Sequence, residues 1–122
     1  MIGIDLVSIS RIKQSIENTA FVKRVFSAVE QNYCNKKADS AQSYAGLFCA
    51  KEAAVKALGI GFGSGIAPTD IVVTHTSNGA PSLKFFRKAI ELFKPYICSV
   101  SISHDGDYAV ATVELIAKGE NK

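Results

Sequence analysis

The sequence predicts a single α+β domain, in which helices precede a small antiparallel sheet and pack on it. Apolar residues at helical spacing dominate the first half of the chain, up to Gly59. Alternating apolar and polar residues, or runs of β-branched residues, dominate the second half. A short alternating stretch at the start, Met1 to Val7, is expected to join the same sheet.

The first predicted strand, Met1 to Val7, has one apolar face made of Ile2, Ile4 and Leu6. The opposite face carries Asp5. Because aspartate is depleted in strands, Asp5 indicates either a strand at the edge or end of the sheet, or a functional position.

Three short helical segments follow, and two of them begin at recognisable capping residues. Ser8 is the predicted N-cap of the first segment. The apolar patch from Phe21 to Phe26 predicts the second. Ser27 and Glu30 form an S-x-x-E capping box, which predicts a third helix that ends near Lys36.

A longer helix is predicted from Asp39, its N-cap, to the residue before Gly59. Its apolar residues lie close to one stripe, which Lys51 interrupts. Glu52 and Lys56 are four residues apart and share a face one turn before the glycine. Taken alone, such a pair is most often a solvated ion pair that contributes about 0.3–0.5 kcal/mol.

A glycine-rich loop follows this helix, with glycine at alternate positions, namely Gly59, Gly61, Gly63 and Gly65. Such a loop exposes backbone N–H groups that can cradle phosphates. The spacing matches neither the Walker A motif nor the dinucleotide-binding fingerprint. The loop alone therefore indicates a flexible connection as readily as a phosphate site.

The second half contains two predicted hairpins, with a helix between them. The predicted elements are a strand from Ile71 to His75, a returning strand near Pro81 to Leu83, a helix from Phe85 to Phe93, and strands from Tyr96 to His104 and from Tyr108 to Ile116. The inward residues of that helix are expected to be Phe85, Ala89, Ile90 and Phe93. His104 shares the side of its strand with apolar residues, where a histidine is most often structural. A polar tail ends the chain, and no function is assigned to His75.

Composition limits the classes of protein. Hydrophobic residues make up 48% of the 122, so a real core is expected, and the net charge of +3 is too mild to demand nucleic acid. The cysteines are odd in number and lack C-x-x-C spacing, which disfavours a disulfide framework. No signal peptide and no membrane-spanning run is visible, so we expect a cytoplasmic protein.

Two motifs have the spacing of a known signature. The first is Gly3-Ile4-Asp5, and the second, after 42 intervening residues, is Phe48-Cys49-x-Lys51-Glu52-Ala53-x-x-Lys56. Together they resemble the paired signature of the 4′-phosphopantetheinyl transferases. The Asn78-Gly79-x-Pro81 turn and the Ser101-Ile102-Ser103-His104 strand resemble the small, trimeric members. Leu47 and Ser64 depart from that pattern, because members often carry basic residues there.

The resemblance implies a reaction of fatty acid biosynthesis. Coenzyme A is cleaved at its pyrophosphate, its phosphopantetheine arm moves to a serine of an apo acyl carrier protein, and adenosine 3′,5′-bisphosphate leaves. The resemblance assigns Mg²⁺ to Asp5 and Glu52, a carboxylate count that suits Mg²⁺ beside phosphates and water. Lys56 is the third predicted catalytic residue and would reach the phosphates as a point charge. The base that takes the serine proton stays open between a water at the metal and either carboxylate.

The remaining predicted contacts concern the cofactor and the partner. Lys56, Gly59, Gly61, Gly63 and His104 are the predicted coenzyme A contacts. Acyl carrier proteins are acidic, and the resemblance places their docking surface on the helix that carries Arg11 and Lys13. It also implies a homotrimer, which suits a small domain with little room for a deep cleft of its own.

Two other interpretations remain open at this point. A small basic α+β module that binds RNA or a protein helix would explain the charge, but it leaves Asp5 in a strand unexplained. A metal-dependent nucleotide phosphohydrolase would use the same carboxylates, and the sequence separates it poorly from a transferase.

Overall fold

The structure, a computed structural model, describes residues 1–119, so the end of the predicted polar tail lies outside the described residues. The strands of this part are β1 (Ile2–Ser8), β2 (Ile71–His75), β3 (Pro81–Phe85), β4 (Tyr96–Asp105) and β5 (Tyr108–Ala117). The helices are α1 (Ile9–Ser15), α2 (Thr19–Val25), α3 (Ala28–Asn35), α4 (Ser40–Ala57) and α5 (Lys88–Phe93), with a 3₁₀ turn at Pro68–Asp70. The predicted α+β class is confirmed. None of the described helices is long and apolar enough to cross a membrane.

The main sheet has three antiparallel strands, with β5 in the centre and β1 and β4 at its edges. In its register Asp5 lies opposite Ala111, which in turn lies opposite Ile102. The hairpin of β2 and β3 forms a separate two-stranded sheet. The N-terminal strand therefore joins the late hairpin, as the sequence predicts, and Asp5 lies on an edge strand.

The long helix α4 packs across the inner face of all three strands of this sheet. Gly3 makes the closest approach, since a Cβ there would lie 2.0 Å from the carbonyl oxygen of Ala53 and 2.5 Å from the amide nitrogen of Ala57. No side chain larger than hydrogen fits between the strand and the helix without moving one of them. The inner face of β1 is thus the face of Gly3 and Asp5, whereas Ile2, Ile4 and Leu6 point outward.

The ends of α4 follow the predicted signals. Asp39 is the N-cap, and its side chain accepts a hydrogen bond of 3.1 Å from the backbone N–H of Gln42. Gly59 has φ of +76°, a left-handed conformation that glycine adopts at little cost, and it donates to the carbonyl of Lys56. This ending places Lys56 in the last turn, beside the start of the glycine loop.

The predicted helix that begins at Phe85 is wrong in its first turn. Phe85 pairs with Ile71 in the β2–β3 ladder, and the helix begins only at Lys88. Arg87 has φ of +53°, which no residue of a right-handed helix can adopt. Ile90, expected to face inward, is exposed, while Ala89 and Phe93 are buried as predicted.

The outer face of the main sheet carries large apolar side chains that the described chain leaves exposed. Those more than half exposed on β1, β4 and β5 are Ile2, Ile4, Leu6, Ile97, Tyr108 and Ile116. Polar side chains of β4 and β5, including Ser99, Ser101 and Glu114, lie on the same face. Exposed apolar side chains gathered on one face mark a surface that meets a partner in many proteins.

Candidate active site

Asp5 and Lys56 meet where β1 lies against the end of α4. The ammonium group of Lys56 donates to the Asp5 carboxylate at 2.8 Å and to the carbonyl of Ile4 at 3.2 Å. The close approach at Gly3 makes this contact possible, because Asp5 points toward the helix two residues further along the strand. The simple i,i+4 ion pair with Glu52 is therefore not the arrangement in the structure, where Lys56 bridges the two motifs.

Glu52 is half-buried and lies one turn before Lys56 on the same face of α4. Burial raises the pKa of its carboxyl group, the negative charge of Asp5 raises it further, and Lys56 opposes both. Two carboxylates thus share a partly desolvated corner with one ammonium group. This is a local excess of negative charge, and a cation would relieve it.

The donor set suits Mg²⁺. No group of three or more His, Cys, Asp or Glu side chains that could hold a metal gathers within residues 1–119. An ion at Asp5 and Glu52 would therefore draw its remaining ligands from phosphates and water. Mg²⁺ is bound in this way at sites that handle phosphates, through one or two carboxylates rather than a full protein cage.

Cys49, which belongs to the same motif, is not a nucleophile candidate. Its thiol is buried and donates to the carbonyl of Ala109 at 3.4 Å. Burial and the neighbouring Asp5 raise the pKa of the Cys49 thiol to about 12, so it stays protonated at neutral pH.

The glycine loop begins directly after the last turn of α4, the turn that contains Lys56. A Cβ added at Gly59, Gly61 or Gly63 would meet nothing within 4 Å, so the loop backbone is open to a ligand. Gly59 and Gly63 have positive φ, whereas Gly61 does not. The positive φ therefore explains glycine at positions 59 and 63. At Gly61 it is the open backbone, which a ligand could approach, that makes the residue a candidate contact.

His104 lies apart from the carboxylates. It lines a cavity of about 270 Å³ between α4 and the β2–β3 hairpin, together with Gly79 and Pro81 of the predicted turn. In the sheet register His104 is two strands away from Asp5 and offset along β4. Two strand spacings give roughly 10 Å and two residues of offset give roughly 7 Å more. Within one chain the structure does not bring His104 together with Asp5.

His75, to which the sequence assigned no role, lines the same cavity. Its ring stacks on Tyr33 with centroids 3.8 Å apart and planes 7° apart. Burial and the positive charge of Lys37 lower the pKa of His75. Leu47, one of the departures from the family pattern, forms part of the cavity wall and is buried.

Arg11 and Lys13 are exposed on α1, which begins directly after β1. The junction is fixed by Asp107, whose carboxylate accepts hydrogen bonds from both Ser8 and Ser10 hydroxyls at 2.8 Å. These bonds lower the pKa of Asp107. Both exposed basic residues of α1 are thereby held near the end of the strand that carries Asp5.

Lys51, which interrupts the apolar stripe of α4, does not lie at the site. Its side chain is 1% exposed and forms an ion pair of 2.8 Å with the buried Glu30 of α3. It lies among the apolar residues of α4 rather than beside the carboxylates, because Glu30 and backbone carbonyls offer its ammonium group a complete set of partners.

Comparison with known proteins agrees with this geometry. The chain matches the 4′-phosphopantetheinyl transferase superfamily over residues 1–113. It is 46% identical over 118 residues to the holo-[acyl-carrier-protein] synthase of Geobacter metallireducens, a match that covers 93% of this chain and 94% of that protein.

Solved structures give the same result. The crystal structure of Helicobacter pylori holo-[acyl-carrier-protein] synthase in complex with coenzyme A has a TM-score of 0.85 and 36% identity, over 95% of this chain and all of that one. The Bacillus anthracis holo-(acyl-carrier-protein) synthase structure has a TM-score of 0.79 and 34% identity, over 93% of both chains. The chain belongs to the 4′-phosphopantetheinyl transferase superfamily. Within it, the relatives found at 35–46% identity over nearly the whole chain are holo-[acyl-carrier-protein] synthases.

Proposed function

We propose that this chain transfers 4′-phosphopantetheine from coenzyme A to a serine of an apo acyl carrier protein and releases adenosine 3′,5′-bisphosphate. The observation that carries the proposal is the meeting of the two motifs, in which Lys56 contacts Asp5 at 2.8 Å beside Glu52. The names of the relatives, and the coenzyme A in the Helicobacter pylori structure, support the choice of substrates.

Asp5, Glu52 and Lys56 each have a role in this reaction. Asp5 and Glu52 would hold Mg²⁺, which when bound neutralises charge on the pyrophosphate as its bond breaks. Lys56 is half-exposed, so its flexible stem can exchange Asp5 for a phosphate oxygen. The open backbone of Gly59, Gly61 and Gly63 lies next along the chain and can donate N–H groups to the same phosphates.

One assay tests the reaction. The protein is incubated with coenzyme A, Mg²⁺ and an apo acyl carrier protein, and the carrier is weighed by mass spectrometry. We expect the carrier to gain one phosphopantetheine, with Mg²⁺ required and EDTA abolishing the gain. Cleavage of coenzyme A without any change in the carrier would instead indicate a phosphohydrolase.

The docking surface for the carrier includes the exposed basic residues of α1, with Arg11 as its main contact and Lys13 on another side of the helix. An acidic carrier would be attracted there and guided toward Asp5 at the other end of the junction. We expect Arg11→Glu to raise the KM for the carrier far more than the KM for coenzyme A, and the difference to shrink at high salt. An equal rise in both constants would place Arg11 in the cofactor site instead.

The working unit is a homotrimer, in which the exposed apolar face of the main sheet packs against neighbouring copies. The apolar side chains on β1, β4 and β5 supply the surface. The separation of His104 from Asp5 within one chain is compatible with a site in which the two residues come from different subunits. In such a site His104 would contact a cofactor phosphate.

Two measurements test the shared site. Light scattering should give the mass of three chains, and a stable, active monomer would contradict the trimer. Inactive Glu52→Ala and inactive His104→Ala subunits are then unfolded, mixed and refolded together. Partial recovery of activity is expected, because some mixed sites combine an intact Glu52 with an intact His104. A trimer without recovery would assign both residues to the same subunit's part of the site.

A further inference from the structure

A buried ionic cluster lies behind the candidate site, centred on Lys51 and Glu30. Both side chains are almost completely buried, and their charged groups lie 2.8 Å apart. Lys51 directly precedes Glu52 in the sequence motif, yet its side chain leaves the site and enters the core. A buried charge pair is not by itself stabilising, so its place in the motif calls for another explanation.

The cluster is fully saturated and joins four parts of the fold. The ammonium group of Lys51 donates to Glu30, to the carbonyl of Pro68 at 3.0 Å and to the carbonyl of Ile71 at 2.6 Å, which uses all three protons. Glu30 also accepts from the backbone N–H of Val73 at 2.7 Å. The cluster thereby ties α3 and α4 to the 3₁₀ turn and to the first strand of the β2–β3 hairpin.

Two of these contacts lie at the far end of the glycine loop. The loop begins after Ala57, the last residue of α4, and ends at Pro68, the first residue of the 3₁₀ turn. Lys51 therefore binds the backbone at the end of the loop, and it lies on α4, the helix from which the loop begins. The distance between the two ends of the loop is fixed through one side chain, adjacent in sequence to Glu52.

We propose that Lys51 is a positioning residue that fixes the glycine loop across the candidate site and orients the helix face of Glu52 and Lys56. It acts through the backbone at Pro68 and Ile71 and does not touch the substrate. The catalytic part of this inference rests on the proposed function. The structural part, a loop restrained by Lys51, can be tested without turnover.

The obvious variant, Lys51→Met, leaves Glu30 charged and buried without its partner, so a loss of more than about 10 °C in Tm is expected. A lower Tm by itself does not distinguish a stabilising role of Lys51 from a positioning role. The decisive variant is therefore Glu30→Gln/Lys51→Met, in which no charge of the Lys51–Glu30 pair remains and the amide oxygen can still accept from one of the two backbone N–H groups, of Ser27 and Val73, that Glu30 binds. We expect it to recover most of the lost Tm. Tyr44→Phe is the matched control, since it removes another α3–α4 contact, the 2.9 Å hydrogen bond to Asn35.

Hydrogen exchange of the peptide that spans residues 58–68 is the readout independent of activity. In the double variant we expect exchange of this peptide to be about tenfold faster than in the parent chain, while Tyr44→Phe leaves it unchanged. With coenzyme A and carrier, kcat should fall about tenfold and the KM for the carrier should stay within twofold, the size seen when a supporting residue is removed.

A double variant with recovered Tm, parental loop exchange and parental kcat would overturn the proposal and reduce Lys51 to a stabilising pair. Equal acceleration of loop exchange in Tyr44→Phe would overturn it too. A parent chain that fails to modify the carrier would overturn the proposed function instead, and the exchange result would still decide whether Lys51 restrains the loop.

Discussion

Lys51 and Lys56 lie on the same helix and each pairs with a carboxylate at 2.8 Å, but their surroundings differ. The Lys51 side chain is 1% exposed, and its three protons all have partners in the core. The Lys56 side chain is 51% exposed and stands on a surface beside two carboxylates and an open loop. Both belong to one sequence motif.

The difference shows that an ion pair acquires its role from its environment. An exposed pair contributes about 0–1 kcal/mol to stability, so Lys56 can leave Asp5 for a substrate at small cost. A buried and saturated pair cannot be opened without leaving a desolvated charge, so Lys51 keeps one geometry. The helix thus has a rigid side that positions the site and an exchangeable side that can bind a ligand.

The largest expected effect is a difference in stability between matching variants of Lys51 and Lys56. Lys51→Met should lower the free energy of unfolding by about 3–5 kcal/mol, because Glu30 is left buried and unpaired. Lys56→Met, the same chemical change, should cost about 1 kcal/mol or less while it removes most of the activity. Urea unfolding and the transfer assay on both variants check this. Similar losses of stability in the two variants would contradict the assignment of roles.

The next effect concerns the two carboxylates beside Lys56. Glu52→Gln should leave the chain folded, because glutamine suits a helix, and should lower kcat roughly 10²–10³-fold, as loss of one electrostatic group does in other enzymes. If Asp5 and Glu52 share one ion, Asp5→Asn/Glu52→Gln should cost little more than either change alone. Titration with Mg²⁺ should show a weakened response in each single variant. Strictly additive losses would speak against a shared ion.

A smaller effect is expected at Gly3, where β1 touches α4. Gly3→Ala places a Cβ 2.0 Å from the carbonyl oxygen of Ala53, so strand and helix must separate. We expect a loss of about 1–3 kcal/mol, typical of overpacking, and a larger fractional loss of activity, because Asp5 moves away from Lys56. Gly61→Ala, at a position with open space and no positive φ, is the control for the stability comparison. Unchanged activity in Gly3→Ala would show that the close approach does not position Asp5.

Much of the fold could be predicted from the sequence because its signals are local. The capping box of Ser27 and Glu30 is present with both hydrogen bonds, and Asp39 caps α4 as its residue type predicts. The first turn of the helix predicted at Phe85 failed for a non-local reason. Pairing with Ile71 extends β3 through Phe85, and apolar periodicity alone cannot reveal a strand partner.

In the candidate site, too, features with a sequence signal were predictable, and features that depend on non-local contacts were not. Motif spacing was sufficient to group Asp5, Glu52 and Lys56, because the family resemblance supplied the long-range contact. The buried role of Lys51 was not predictable, since a lysine in an apolar stripe is normally solvated and only the structure shows Glu30 opposite it. His75 was missed for the same reason, because its stacking partner Tyr33 lies on a different element.

The smallest predicted effect is a pH-dependent gain in stability from Glu52→Gln. The pKa of Glu52 in the folded chain lies above its ordinary value of 4.5, because of burial first and the charge of Asp5 second. A carboxyl group with a raised pKa favours the folded state at low pH, and this contribution is lost as pH rises through the folded value. At neutral pH the ionised Glu52 therefore destabilises the fold, and a neutral glutamine should raise Tm slightly. Below pH 4.5 both chains are neutral at this position, and the gain should vanish.

Thermal unfolding between pH 4 and 8, with EDTA present to keep metal away, measures the difference. Glu17→Gln, at an exposed carboxylate, is the matched substitution control. A loss of Tm at neutral pH would mean that Lys56 rather than burial dominates the surroundings of Glu52. A gain that persists at low pH would mean that the gain does not come from ionisation of Glu52.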